Sequence, residues 1–447
     1  MLSSDASAPQ RAPDTVLRRL YGLAWYAALP VLPLRLWWRA RKEPGYGEHI
    51  AERFGRFGQR IDGPLLWLHA VSLGETNAAR PLLHELRARY PQATILLTHM
   101  TATGRAAGAT LVDERTIQAW LPYDVPSFAR AFIAHFRPAA GMLLETELWP
   151  NLIHEAQRAG IPMFLLNARL SARSATRYAR IAPVARRAFS SLAGIAAQTA
   201  SDAQRIAAFA GRTPVATGNL KFDVAVPEEA RTLGATLRAR FGDRPVWLFA
   251  SSREGEEALV LDAWRASSAL RDALLVIVPR HPQRFEDVAR VIEARGIPYA
   301  RRSHGRAIDG NVGVVLGDSM GEMLAYCAAA DVVLMGGSLL AFGGQNLIEP
   351  IALGRPTVVG PHMFNFAQAT ASAVAVGAAV RVDDAGEAIT MIDALLHDHA
   401  RRDAMQRAAL EFHAAHRGAT DRLWQWLAPQ LDAALERAAA ISRQGAG

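Results

Sequence analysis

The sequence predicts an α/β protein made of two doubly wound parallel sheets in tandem. Three observations carry this expectation. From Gly63 to about residue 200, short aliphatic runs alternate with amphipathic stretches of helix length. A second series of the same kind starts near residue 246. Between them, residues 221–245 are polar and hold no strand candidate after Val226. Strands that are apolar throughout and separated by helices must be covered on both faces, which is the condition of a parallel sheet.

Taken in order, the chain first offers "LYGLAWYAALPVLPL", Leu20 to Leu34, which carries no charge and is followed by Arg35, Arg39, Arg41 and Lys42. The run falls short of the roughly 20 residues of a spanning helix, and Pro30 and Pro33 interrupt it. It lacks the small-residue cleavage site of a signal peptide. It reads as an N-terminal membrane-anchoring helix that dips into the bilayer face, with Trp25, Trp37 and Trp38 at headgroup level and the arginines on the cytoplasmic, anionic side. A helix packed on the protein's own body is the competing reading. The first strand series is then "LLWLHAVS", "ATILLTHM", "TIQAWLPY", "AAGMLLET", "MFLLNAR" and "LAGIAAQ". The second is "VWLFASS", "ALLVIVPR", "NVGVVLG", "VVLMGGS" and "PTVVG". The domain expectation is an N-terminal tail and anchor over 1–42, a first α/β domain over 43–225 and a linker over 226–245. A second α/β domain over 246–425 follows, then a C-terminal tail over 426–447, of which only the extreme stretch "ERAAAISRQGAG", like residues 1–12, reads as dispensable.

Composition narrows the function. The chain has 447 residues, 50% hydrophobic and 21% charged, a globular mixture long enough for two cores. Its single cysteine, Cys327, excludes an internal disulfide and suits a reducing compartment. The net charge of +8 favours an anionic partner: nucleic acid, a membrane surface or a phosphorylated ligand. G-x-G-x-x-G after a first strand, G-x-x-x-x-G-K-[ST], H-E-x-x-H, C-x-x-C and G-x-S-x-G are all absent, which disfavours nicotinamide, P-loop, zinc-protease and serine-hydrolase chemistry. "HDH", His397 to His399, reads as a solvated surface pair, and no D-x-D pair for a divalent ion is found.

In open α/β sheets ligands bind beyond the carboxyl ends of the strands, so the polar residues there are the candidates. "LWLHAVSLGET" ends a strand on a glycine followed by Glu75. That acid either complements the positive end of a helix or serves as a base. "MGGSLLAFGGQNLIEP" leaves a later strand through two glycine pairs, whose freedom lets backbone N–H groups approach an anion at the following helix start; Glu349 in that helix has the reach of a ribose hydroxyl. "VPRHP" places Arg280 and His281 just past another strand, where a guanidinium fork suits phosphate oxygens.

The ordered blocks "HAVSLGE", "ETELWPNL", "NARLSARS", "GNLKFD", "VPRHPQRF", "GDSMGEM", "GGQNLIEP" and "GPHMFNF" resemble those of the 3-deoxy-D-manno-octulosonic acid (Kdo) transferases, the lipid A glycosyltransferases of Gram-negative bacteria. The resemblance runs from the N-terminal segment to about residue 425. It implies the GT-B architecture, two Rossmann-like domains facing across a cleft. It also implies inverting transfer of Kdo from CMP-Kdo to a hydroxyl of the lipid A precursor (lipid IVA), in lipopolysaccharide core biosynthesis at the cytoplasmic face of the cell inner membrane. Carried over by motif, the proton acceptor falls on Glu75 and the transition-state residues on Glu145 and Lys221. The nucleotide contacts fall on Pro279 and Arg280, on Met320, Gly321 and Glu322, and on Asn346, Leu347, Ile348 and Glu349. No cofactor and no metal are expected. The expected partners are CMP-Kdo, the lipid A precursor and an anionic membrane surface, without nucleic acid. Two other readings stay open: a GT-B enzyme using another sugar nucleotide, and a non-catalytic protein that binds anionic lipid.

Overall fold

The computed structural model describes residues 12–58, 61, 63–224, 226–268, 270–305 and 308–444. The chain divides into two compact units, one of residues up to Asp223 joined by those from Gly418 onward, the other of Val224–Arg417. Each holds a seven-stranded, wholly parallel sheet. The strands of the first are β1 (Leu65–His69), β2 (Thr94–His99), β3 (Thr116–Trp120), β4 (Ala140–Leu144), β5 (Met163–Ala168), β6 (Gly194–Ala197) and β7 (Val215–Ala216), in the order β3-β2-β1-β4-β5-β6-β7. The second has β8 (Val246–Ser252), β9 (Leu274–Pro279), β10 (Tyr299–Arg301), β11 (Val314–Leu316), β12 (Val332–Met335), β13 (Thr357–Val359) and β14 (Ala379–Arg381), in the order β10-β11-β9-β8-β12-β13-β14. Each apolar run of the sequence is one of these strands. Side chains alternate between the covered faces: Leu65 and Trp67 join one core of the first unit, Leu66 and Leu68 the other.

The order of strands reverses direction between β1 and β4, and again between β8 and β12. At such a switch point the loops leaving two neighbouring strands diverge and leave a crevice. Glu75 follows β1, and Glu145 follows β4 at once. The glycine-rich loop follows β12.

Three boundaries differ from the sequence expectation. The segment 226–245 is not a bare linker, because Glu228–Phe241 is a helix with Gly234, Leu237 and Phe241 buried. A Cβ at Gly234 would come within 2.5 Å of Ala328, so the glycine permits close packing on the helix Met323–Ala329. Residues 418–425 do not belong to the second unit. Ala419–Gln444 is one helix whose Leu423, Leu427 and Leu431, four residues apart, are fully buried beside Leu66, Leu68 and Leu86 of the first sheet. Asp223 begins that return: its carboxylate accepts the N–H groups of Gly418 at 2.5 Å and Ala419 at 3.2 Å, and that of Thr420.

The third difference concerns the anchor. Residues 20–34 do not form one helix, because Ala12–Ala28 and Val31–Lys42 are separate helices that meet at Pro30. Among the described residues no helix is long and apolar enough to cross a membrane. The first helix packs on the body, where the Tyr21 hydroxyl donates to buried Asp124 at 3.0 Å and a Cβ at Gly22 would press on Pro126 at 2.9 Å. Trp25, expected at headgroup level, lies against Tyr123 with ring centroids 6.3 Å apart. The opposite side is bare: Leu20, Leu23, Val31, Leu34, Trp37 and Trp38 are exposed.

The C-terminal helix yields a direct test. Leu427→Ala removes a side chain with no exposed surface and is expected to cost about 2–5 kcal/mol, read as a lowered midpoint in chemical denaturation. A loss below about 0.5 kcal/mol, the range of surface substitutions, would make the helix peripheral.

Candidate functional site

At the first switch point the chain leaves β1 through Ala70 and Val71 and starts the helix Leu73–Ala78. Ser72 caps it, its hydroxyl accepting the N–H of Glu75 at 3.4 Å. The Glu75 carboxylate folds back, accepting the N–H of Val71 at 2.7 Å and the Ser72 hydroxyl at 3.3 Å. This is a capping-box arrangement, so the helix-end reading of Glu75 holds as local structure. It does not exhaust the residue. Burial first, then the charges of Glu145 and Glu147, push its carboxyl up to about 8, with the Val71 N–H and Lys221 pulling the other way. Glu75 therefore holds its proton to a higher pH than an ordinary glutamate.

Glu145 occupies the left-handed region with φ of 58°, an unusual conformation for a residue with a Cβ. Backbone bonds to the next strand hold it there, Glu145 N–H to Leu166 at 2.9 Å and Arg169 N–H to Glu145 at 3.3 Å. Its carboxylate meets the Lys221 ammonium at 2.6 Å. Lys221 sits in the single turn Leu220–Phe222, whose two flanking side chains are buried. Asn167, also left-handed at φ of 51°, ties that turn to the end of β5 by accepting the Leu220 N–H at 3.1 Å. The resemblance-derived trio of Glu75, Glu145 and Lys221 is thus brought together in one unit.

Two further members stand outside the residues carried over by motif, although Glu147 lies in the polar strand-end stretch Glu145 to Trp149. Glu147 lies with one carboxylate oxygen 3.9 Å from Nε2 of His69, the last residue of β1. Burial, and then Glu145, raise the Glu147 carboxyl to about 7. His69 has no exposed surface and is pushed down to about 3 by burial, so it is neutral; its Nδ1 meets the Thr98 hydroxyl at 2.8 Å. The available signals were a second acid in "ETE" and a histidine ending an apolar strand. Neither spacing reveals that the two side chains meet.

The second unit gathers the remaining candidates at the carboxyl ends of adjacent strands. Pro279 ends β9, and the Arg280 guanidinium donates to the Gln345 side chain at 3.2 Å. Burial lowers the Arg280 pKa, while Glu349 opposes the shift. Asn346 donates to the Glu349 carboxylate at 3.1 Å and accepts the N–H of Ile348 at 3.2 Å; burial raises the Glu349 carboxyl. Leu347 and Ile348 are fully buried, so they offer a ligand backbone and not side chains. Beyond β11, Met320 is 59% exposed, Gly321 is left-handed, and Glu322 is held by Ser319 at 2.6 Å and Arg302 at 3.2 Å.

The glycine-rich loop departs from expectation. Its N–H groups at Gly337, Leu339 and Leu340 point at the buried carboxylate of Glu256, at 2.6, 2.9 and 3.2 Å, and are not free for a ligand. Gly336 is required by contact instead, since a Cβ there would fall 2.3 Å from the Ser251 carbonyl oxygen. The helix after the loop, Ile348–Ala352, has only five residues and little dipole to offer an anion.

Comparison with known proteins agrees with this arrangement. Residues 48–224 match the model of the 3-deoxy-D-manno-octulosonic-acid transferase (kdotransferase) family. The 3-deoxy-D-manno-octulosonic acid transferase of Bordetella pertussis is 45% identical over 92% of this chain and 99% of its own length. That of Haemophilus influenzae is 36% identical over 88% of this chain and 93% of its own. Among solved structures, a glycosyltransferase of Rickettsia africae superposes with a TM-score of 0.51 over 84% of this chain and 99% of its own at 11% identity, a likeness of fold. Two tandem parallel-sheet units of GT-B type, carrying these motifs at their switch points, place this chain in the 3-deoxy-D-manno-octulosonic acid (Kdo) transferase family.

Proposed function

We propose that this protein transfers Kdo from CMP-Kdo to a hydroxyl of a lipid A precursor, with inversion at the anomeric carbon, in lipopolysaccharide core biosynthesis. The observation that carries the reading is the gathering of Glu75, Glu145, Glu147, Lys221 and His69 at the first switch point of a member of this family. An acceptor alcohol must lose its proton as its oxygen attacks the anomeric carbon. Glu75, whose proton affinity is raised by burial and then by its acidic neighbours, takes that proton. The bond between the anomeric carbon and the phosphate oxygen breaks, and CMP departs as a phosphate monoester. Arg280 meets the charge that collects on it, with Pro279, Met320 to Glu322 and Asn346 to Glu349 as the nucleotide's surroundings. Lys221, fixed by Glu145 at 2.6 Å, adds a positive charge beside the reacting groups. Protein side chains supply each of these roles, and turnover that persists in EDTA is the check on metal independence.

The acceptor is a lipid, and the bare side of the two N-terminal helices supports attachment to a membrane surface at the cytoplasmic face of the inner membrane. Leu34 and Trp38 are 65% and 56% exposed, beside exposed Arg35 and Arg41. The first of these helices packs on Ala182–Ser190, and the preceding helix Ala172–Arg180 exposes Arg173, Arg177 and Arg180. Apolar side chains flanked by arginines suit a layer of anionic headgroups. The helices lie on the interface in this reading and do not traverse it.

Two outcomes test the proposal. Glu75→Gln keeps the size and bonding reach of the side chain but cannot accept the proton, so turnover falls roughly 10²- to 10⁴-fold while CMP affinity and melting temperature hold. In the parent enzyme kcat/KM climbs as pH rises through about 8, where the base loses its proton, and levels off above. Retention of more than about a tenth of parental turnover with chemistry rate-limiting, below the usual effect of losing a general base, removes Glu75 from the role, and a deeper loss in Glu145→Gln transfers it there. For the membrane face, Leu34→Glu combined with Trp38→Glu weakens sedimentation with anionic phospholipid vesicles by at least about tenfold. The melting temperature is unchanged, since both side chains are exposed. Undiminished vesicle binding discards this face.

A further inference from the structure

The ends of β11, β9 and β12 each contribute a candidate contact, but β8, which stands between β9 and β12, contributes none. The residue that follows β8 is Arg253. It stands on the loop at the second switch point, facing the glycine-rich loop after β12. In the ladder between β8 and β9, Ser252 is paired with Pro279, and the Arg280 N–H donates to the Ser252 carbonyl at 3.1 Å. Arg253 and Arg280 are therefore the next positions on neighbouring strands, which run about 4.8 Å apart.

Neither guanidinium has a carboxylate partner among the described ion pairs and hydrogen bonds, and the nearby acids are engaged elsewhere. Glu256 accepts N–H groups from Arg253, Gly337, Leu339 and Leu340. Glu257 is bonded to Ser252 and Arg284 at 2.7 and 2.8 Å. Glu349 is bonded to Asn346. Both arginines are instead fixed to the glycine-rich loop, Arg280 through Gln345 and Arg253 over the Phe342 ring at 4.5 Å. Arg253 also lowers the pKa values of Arg280 and His281, so the three lie within one another's field. Two half-buried guanidiniums side by side, neither closed in a described ion pair and only Arg280 within the field of a carboxylate, that of Glu349, are a seat for two negative charges.

We propose that Arg253 binds the carboxylate of the donor sugar while Arg280 holds the phosphate. The inference rests on Kdo transfer as proposed above. Its chemical ground is that in an activated ulosonic acid the carboxyl group and the phosphate ester are carried by the same carbon, so two anions arrive at adjacent-strand spacing. An activated aldose has no carboxylate there. Arg253 then decides between donors, and orients the anomeric carbon by gripping one of its substituents.

The test compares CMP, which lacks the carboxylate, with CMP-Kdo. Arg253→Met keeps an apolar stem on Phe342 and removes the fork. It is expected to leave the Kd for CMP within about twofold and raise the KM for CMP-Kdo by at least about tenfold, the effect of one charge-assisted bond. Arg253→Lys recovers part of the loss, and Arg280→Met weakens CMP itself. Equal weakening of CMP and CMP-Kdo by Arg253→Met would make Arg253 a phosphate ligand or a structural one and overturn the proposal, as would an unchanged KM. A parent enzyme that binds CMP but turns over a different CMP-sugar overturns the donor reading itself, a result separate from any effect of the substitution.

Discussion

A strand can join a parallel neighbour only through a crossover that carries the chain across one face of the sheet, and a sheet covered on both faces must therefore reverse its winding somewhere. In this protein each sheet does so once, beside β1 in the first unit and beside β8 in the second. The loops that part there leave a crevice open to a ligand. Glu75 and Glu145 stand on such loops in the first unit, Arg253 and the glycine-rich loop in the second. The positions of the reactive groups follow from the order in which strands were laid down.

The two switch points have opposite electrostatic character. The first buries three carboxylates beside one lysine and a neutral histidine, and burial, then the neighbouring acids, raise the proton affinity of Glu75. The second leaves two guanidiniums outside any described ion pair. Such a division suits a reaction that takes a proton from one substrate and leaves negative charge on a fragment of the other. In both, carboxylates that touch no ligand set the backbone: Glu256 gathers the loop that carries its arginines, and Asp223 fixes the return of the last helix.

The central strands were legible because burial on both faces leaves an unbroken apolar run. The edge strands Val215–Ala216, Tyr299–Arg301 and Ala379–Arg381 were not, being short, partly exposed and free of that requirement. The leucines at 423, 427 and 431 did carry a helical period, but an alanine- and arginine-rich surround hid that they cover the far sheet. Glu75, Glu145 and Lys221 came from motifs. Glu147, His69 and Arg253 owe their places to distances that only the folded chain creates. The glycines of "MGGS" misled for a related reason: the sequence shows that N–H groups are accessible there, yet not that Glu256 reaches them first.

Because the chain leaves the first unit after Asp223 and comes back to it at Gly418, the second unit is nested within the first. One face of the first sheet, around Leu66, Leu68 and Leu86, is closed by a helix that a ribosome makes only after the whole of Val224–Arg417. Throughout synthesis of Val224–Arg417 that face stays apolar and uncovered, a sticky surface that holdase chaperones are suited to shield. The second unit, whose core draws on no residue beyond Arg417, completes first although its sequence comes later. The core of the first unit therefore waits on a segment that lies beyond the whole of the second.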